Sequence, residues 1–269
     1  MADTVTGKVW FVGAGPGDPD LITVRGRSLL ERAGAVLYAG SLVSPAHFTH
    51  TPEGCTIADS SGMTLDEMTN WLRDEAGRCE VVVRLQTGDP SLYGALAETA
   101  GPLDEAGVAI GVVPGVTSAM ASAAVAGESL TLPERTQTVI LTRTEGRTPM
   151  PDGEKLHALA AHGATLCLYL SATLMEKVTE ELIQAGWSAE APVLVVHKAS
   201  WPGEERVLRT TVGSFAALCT QEGIRSQTMI IVSKALGARQ RGRDPQSRLY
   251  APEFTHGFRT GHTHSDSSG

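Results

Sequence analysis

Short apolar runs alternate along the chain with longer stretches at helical spacing, the pattern of strands joined by crossover helices. Lys8 to Val12 predicts a first strand, followed by a Gly/Pro loop and a helix from about Leu21 to Arg32. Ala35 to Tyr38 predicts a short strand. Thr64 to Arg78 predicts a helix, because Thr64 and Glu67 stand at capping-box spacing and each can satisfy an orphan backbone donor of the other. Glu80 to Leu85 contains three consecutive valines and reads as a strand buried on both faces, as parallel strands are. A helix over Ala95 to Glu105, a strand over Val108 to Val113 and a small-residue helix over Thr117 to Ala126 complete this half.

After Thr131-Leu132-Pro133 the series restarts. Strands are expected over Gln137 to Thr142, Thr165 to Leu170, Val193 to His197, Arg206 to Thr211 and Thr228 to Val232. Helices are expected over Glu154 to Ala161, Thr173 to Ala185 and Val212 to Cys219. The expected fold class is α/β: two domains, residues 1–130 and 131–237, each a mostly parallel or mixed sheet flanked by helices. From Ala238 onward Arg, Gly, Pro, Ser and His replace apolar periodicity, so 238–269 reads as a disordered tail. His256, His262 and His264 fall there without carboxylate or Cys at matching spacing, and no metal site is expected.

Composition narrows the partners. Charged residues are 19% of 269 and the 29 glycines exceed the usual share, which describes a compact, turn-rich chain. The net charge of −8 argues against nucleic acid or an anionic membrane, both of which need excess Lys and Arg. The tail holds five Arg and three acidic residues, a balance of +2, so the first 237 residues carry −10. Cys55, Cys79, Cys167 and Cys219 form no CxxC pair and read as reduced, mostly buried thiols. No window approaches the roughly 20 apolar residues of a membrane span. Met1-Ala2-Asp3-Thr4 lacks the basic-then-apolar pattern of a secretory leader, so a cytoplasmic location is expected.

Three loops carry the candidate chemistry. The first, Gly13-Ala14-Gly15-Pro16-Gly17-Asp18-Pro19, follows the first strand. It is not a dinucleotide fingerprint: the third glycine of GxGxxG falls on Asp18, and Pro16 and Pro19 remove N–H donors that a phosphate cradle uses. What remains is a rigid turn that a ligand can approach closely. The second, Thr87-Gly88-Asp89-Pro90-Ser91-Leu92-Tyr93-Gly94, follows the valine-rich strand at the end where open α/β sheets bind ligands. Asp89 there offers an acceptor for a ribose diol or an amino group, and Leu92 and Tyr93 offer walls for an aromatic base. The third, Pro114-Gly115-Val116-Thr117-Ser118, places two hydroxyls at a helix start, where one can cap the helix and the other bind ligand.

These loops, in this order and spacing, resemble the tetrapyrrole methylase family, whose members transfer methyl groups from S-adenosylmethionine (SAM). Leu37-Tyr38-Ala39-Gly40-Ser41-Leu42-Val43-Ser44-Pro45, Thr138 to Pro151, Tyr169-Leu170-Ser171 and Lys198-Ala199-Ser200-Trp201-Pro202 resemble one branch of it. That branch acts on C11 of precorrin-4 or its cobalt-containing counterpart in cobalamin synthesis. The resemblance covers about residues 8 to 235 and implies a homodimer with SAM folded between two domains. Carried over by position, the SAM contacts are Pro16, Thr87, Gly88, Asp89, Leu92, Thr117, Ser118, Leu170 and Ala199.

The implied reaction is in-line displacement of the sulfonium-activated methyl by a macrocycle carbon, which needs positioning rather than a covalent nucleophile. Asp18 and Tyr93 are the candidates for a catalytic base by place alone. The substrate's acetate and propionate groups call for local cations, and Arg143, Arg147, Arg84 and Lys198 are the expected ones. The alternatives are another family member, such as a uroporphyrinogen III methyltransferase, a SAM-binding module without chemistry, and a methylase of protein or RNA.

Overall fold

A computed structural model describes residues 7–242 and 247–262. The chain divides into two compact units. The first comprises residues up to Val125 with the segments Val196–Val207 and Gln227–Met229, and the second holds the remainder.

The first unit carries strands β1 (Lys8–Gly13), β2 (Ala35–Tyr38), β3 (Thr56–Asp59), β4 (Val81–Gln86) and β5 (Ala109–Val113). They form one sheet of order β3-β2-β4-β1-β5 in which every pairing is parallel. Its helices are α1 (Val24–Leu30), α2 (Leu65–Ala76), α3 (Leu96–Glu105) and α4 (Ser118–Ala126).

Strand alternation divides the core between the two sheet faces. Val36, Val81, Val83 and Leu85 pack with Leu29 and Leu30 of α1. Phe11, Leu37 and Val82 pack with Leu72 of α2 and Leu103 of α3. Every residue of β4 is buried, as its valine run predicts. Its buried valines and Leu85 each contribute about 1.5–3 kcal/mol by leaving water, which makes β4 the anchor of the unit.

The α2 capping box forms as expected: Thr64 Oγ1 accepts the Glu67 N–H, and Glu67 Oε2 accepts the Thr64 N–H at 2.7 Å. Those bonds to Thr64 hold the Glu67 carboxyl below its usual value.

Three segments differ from the sequence expectation. The helix expected over Leu21 to Arg32 is broken into a 3-10 turn at Pro19–Leu21 and α1. Asp18 caps the turn, the chain is extended at Ile22, and Thr23 then caps α1 by accepting the Gly26 N–H at 3.1 Å. Strand β3 has no sequence signal because it is a short sheet edge with mostly exposed side chains. The tail is not without structure in its described part. It forms α8 (Ala238–Arg241) and a 3-10 turn at Arg248–Tyr250, and His256 bridges to Arg259, whose guanidinium donates to Leu249 O and Ala251 O. The rest of that expectation, with His264, lies outside the described residues. Among the described residues no cluster of His, Cys, Asp and Glu is placed to hold a metal, and no helix is long and apolar enough to cross a membrane.

The second unit contains β6 (Val139–Arg143), β7 (Thr165–Tyr169), β8 (Pro192–His197), β9 (Arg206–Thr211) and β10 (Thr228–Val232), in the order β6-β7-β10-β8-β9, with the ends of β8, β9 and β10 grouped with the first unit. The sheet is mixed: β6 and β7 are parallel, β7 and β10 antiparallel. Helices α5 (Leu156–Ala160), α6 (Met175–Gln184) and α7 (Phe215–Gln221) supply Leu156, Val178, Leu182 and Phe215 to its core.

Candidate active site

Because β4, β1 and β5 are adjacent and parallel, the three Gly-rich loops leave the sheet side by side. Their backbones touch. A Cβ on Gly13 would lie 2.5 Å from Gly88 O and 2.6 Å from Gly115 Cα, and one on Gly115 would lie 2.0 Å from Gly88 O. Gly15 and Gly88, both at positive φ, form an isolated antiparallel bridge, with Gly88 N–H donating to Gly15 O at 2.8 Å. Gly13 and Gly115 have no room for a side chain, while at Gly15 and Gly88 the left-handed backbone favours glycine.

Asp89 ties the second loop to the third. Its Oδ1 accepts the Ser91 N–H and hydroxyl, and its Oδ2 accepts the Gly115 N–H at 2.9 Å. Burial raises the Asp89 pKa, but the bonds from Ser91 and Gly115 together outweigh it and hold the carboxyl below its usual value. The first loop is held from outside. Trp201 Nε1–H donates to Pro16 O at 3.0 Å, Asp18 N–H donates to Ser200 Oγ at 3.1 Å, and His47 Nε2 lies 2.9 Å from Ala14 O.

All the residues expected to contact SAM lie in the first unit except Leu170, which belongs to the second. Pro16, Gly88 and Ala199 are buried, while Thr87, Asp89, Leu92, Thr117 and Ser118 are half-buried. In the first unit, left-handed backbone at non-glycine residues includes Tyr93 of the second loop at φ 56°, Lys198 at 49° and Ser200 at 65°; in the second unit Leu170 adopts it at 52°. Such conformations cost of order 1–3 kcal/mol each and cluster where backbone geometry serves a ligand. Asp18 is committed to its turn, with Oδ1 accepting the Asp20 N–H at 2.9 Å, and Tyr93 is half exposed.

The expected substrate cations separate. Arg84 is only 7% exposed; it donates to Ser60 Oγ at 2.8 Å and to Leu37 O. Burial pushes its pKa down to about 10 against the opposing pull of Asp59. An enclosed guanidinium with these partners is a core group rather than an open contact for a substrate carboxylate. Arg143 braces its own loop by donating to Thr148 O and Pro149 O. Arg147, at the exposed tip of that loop, has no hydrogen-bond partner among the described residues. Lys198 pairs with Glu204 and lies over the Trp201 ring. A mostly apolar cavity of about 390 Å³ in the second unit, lined by Val193, Leu194, Arg209 and Leu236 among others, includes none of the expected site residues.

The fold and converging loops agree with the comparisons. A profile of the tetrapyrrole (corrin/porphyrin) methylases matches residues 8–216, and the chain belongs to that family. It is 50% identical over 254 residues to a cobalt-precorrin-4 C(11)-methyltransferase of Priestia megaterium, covering 94% of this chain and 98% of that one. It is 42% identical to a precorrin-4 C(11)-methyltransferase of Pseudomonas aeruginosa, covering 94% and 99%. Among solved structures, a cobalt precorrin-4 methyltransferase matches with a TM-score of 0.82 at 50% identity, over 85% of this chain and 95% of that one. A uroporphyrin-III C-methyltransferase from Thermus thermophilus, complexed with S-adenyl homocysteine, matches with a TM-score of 0.72 at 30% identity, over 86% and 94%.

Sequence reasoning missed His47 and Trp201 as holders of the first loop. Both bond to backbone carbonyls, which leave no mark in side-chain identity. Two prolines in a loop that must still satisfy its carbonyls were the available signal.

Proposed function

We propose that this chain methylates C11 of cobalt-precorrin-4, with SAM as the donor, in cobalamin biosynthesis. The observation that carries the reading is the convergence of the three Gly-rich loops at the carboxyl ends of β4, β1 and β5, in a chain half identical to a relative of that name. The loops fit SAM chemically: close-packed glycine backbone admits a ligand, and half-buried Thr87, Leu92, Thr117 and Ser118 offer hydroxyl and apolar contacts within reach. Pro16, Gly88, Asp89, Ala199 and Leu170 complete the proposed set. Bound there, SAM supplies a methyl group already activated on a sulfonium.

The chain's own residues then have to position rather than activate. Holding two reactants in line lowers a barrier by up to about 7–11 kcal/mol by the intramolecular benchmark, so rigid loops are the main catalytic device. Asp89 sets the spacing between two of them. Arg147 is the proposed contact for a substrate carboxylate, with Arg143 shaping its loop and Lys198 a further cation. An acidic body places that work on local arginines, whose planar fork matches a carboxylate.

Metal-free precorrin-4 is the second reading, favoured by the Pseudomonas aeruginosa relative. We also propose a cytoplasmic homodimer. That none of the four cysteines forms a disulfide supports the compartment. Exposed Met120 and Val125 on α4, a helix apolar on every side, and Val112 on the edge strand β5 support a covering second copy.

Calorimetry with SAM, followed by incubation with each tetrapyrrole, tests the reading. S-adenosylhomocysteine is expected only when a tetrapyrrole is present. SAM binding without turnover on either compound identifies a binding module instead.

A further inference from the structure

The loop from Ala14 to Pro19 cannot hold itself. Pro16 and Pro19 have no N–H, so it makes few internal bonds, and its buried carbonyls must find donors elsewhere. On either side of Gly15 those donors are ring nitrogens. Ala14 O faces His47 Nε2 at 2.9 Å, and Pro16 O accepts Trp201 Nε1–H at 3.0 Å.

His47 is fully buried, and its other nitrogen lies 2.9 Å from Ser44 O. Both ring nitrogens face carbonyls, which only accept, and a neutral imidazole carries one N–H; the grip on the first loop assigns that hydrogen to Nε2, the side of Ala14. His47 therefore links the segment beginning at Tyr38 to the first loop.

The Trp201 ring packs against the same loop: a Cβ on Gly17 would come 2.1 Å from indole Cδ1. Its own loop is stiffened for the purpose. Ser200 N–H donates to Glu205 Oε2 at 2.6 Å, Trp201 N–H donates to Lys198 O at 3.0 Å, and Lys198 and Ser200 hold left-handed backbone. Non-glycine residues keep that conformation only where surrounding contacts over-determine it.

We propose that His47 and Trp201 are positioning residues for the methyl donor: two ring N–H groups that grip the carbonyls flanking Gly15 and fix the shape of the first loop. The role in donor binding rests on the SAM reading above. The grip itself does not.

The test uses Trp201→Phe, which keeps a ring and removes the N–H, and His47→Asn, which cannot reach Ala14. His47→Gln keeps a donor near the Nε2 position. Losing one neutral hydrogen bond corresponds to roughly a three- to tenfold change in an equilibrium constant. Trp201→Phe and His47→Asn should each raise the SAM Kd by about that factor, with KM for SAM rising more than kcat falls. His47→Gln should stay within about twofold of the native chain.

Amide hydrogen exchange at Gly15 and Gly17 gives a readout that needs no ligand. It should accelerate in Trp201→Phe and His47→Asn and not in His47→Gln. Native exchange rates in Trp201→Phe and His47→Asn overturn the proposal. Should the native chain bind no SAM, the donor reading fails, and the exchange rates alone still decide the grip. If either variant does not fold, the other decides.

Discussion

The Asp89 carboxylate is bonded to the Gly115 N–H at 2.9 Å, joining the loop after β4 to the loop after β5. Its other oxygen is taken by Ser91. In this arrangement Asp89 acts on a ligand first through the loops it ties. Asp89→Ala should lower the free energy of unfolding by about 1–3 kcal/mol, the range for hydrogen bonds to a charged group at a half-exposed site. The SAM Kd should rise tenfold or more, on the order of 1.4 kcal/mol. Urea unfolding and calorimetry measure the two, and a variant native in both contradicts the tie.

The same bonds predict a pH dependence. The Asp89 pKa in the folded chain lies below its unfolded value, because the bonds from Ser91 and Gly115 outweigh the raising effect of burial. Its contribution to stability is therefore complete above the unfolded value near pH 4 and is lost as the pH falls through the lower folded value. The stability gap between the native chain and Asp89→Asn should be constant from neutral pH to about pH 5 and narrow below about pH 4. Urea unfolding across that range checks the sign; a gap that widens in acid contradicts it.

Two glycine substitutions should move in opposite directions. Gly115→Ala puts a methyl 2.0 Å from Gly88 O and 2.8 Å from Gly13 Cα, both backbone, so the loops must separate and SAM binding should be lost. Gly77→Ala falls on exposed helical backbone closing α2, at φ −73° and ψ −16°, where the added methyl makes ordinary contact with Asp74 O at 3.4 Å and alanine is favoured by about 0.5–1 kcal/mol. Thermal unfolding should show a large loss for the first and a small gain for the second.

Arg143 and Arg147 should separate kinetically. Arg147→Ala removes an exposed guanidinium and should raise the tetrapyrrole KM by roughly tenfold with the SAM Kd unchanged. Arg143→Ala removes the donors to Thr148 O and Pro149 O, and should also loosen the loop, seen as faster proteolysis there. Equal tetrapyrrole KM values in the native chain and Arg147→Ala would remove Arg147 from the site.

Much of this was legible in the residues. The valine run of β4 forecast a strand buried on both faces, and the Thr64/Glu67 spacing forecast the cap of α2. The loops' places after strands put them at the ligand-binding end of the sheet, but that their glycine backbones touch depends on strand order, which no loop encodes. Arg84 was misread as a reachable cation although it stands inside that buried strand. Burial on both faces leaves no outward position, so the same signal that identified the strand also enclosed its arginine. Strand β3 was silent because an edge strand needs no apolar alternation. Side chains that serve backbone atoms, such as His47 and Trp201, depend on tertiary approach that no local pattern encodes.

The central claim is tested most directly by incubating the chain with SAM carrying a 13C-labelled methyl group and either cobalt-precorrin-4 or precorrin-4, then locating the label by NMR. The account predicts one labelled methyl per macrocycle, attached at C11, with one equivalent of S-adenosylhomocysteine. A label at any other carbon, or none on either macrocycle, contradicts it.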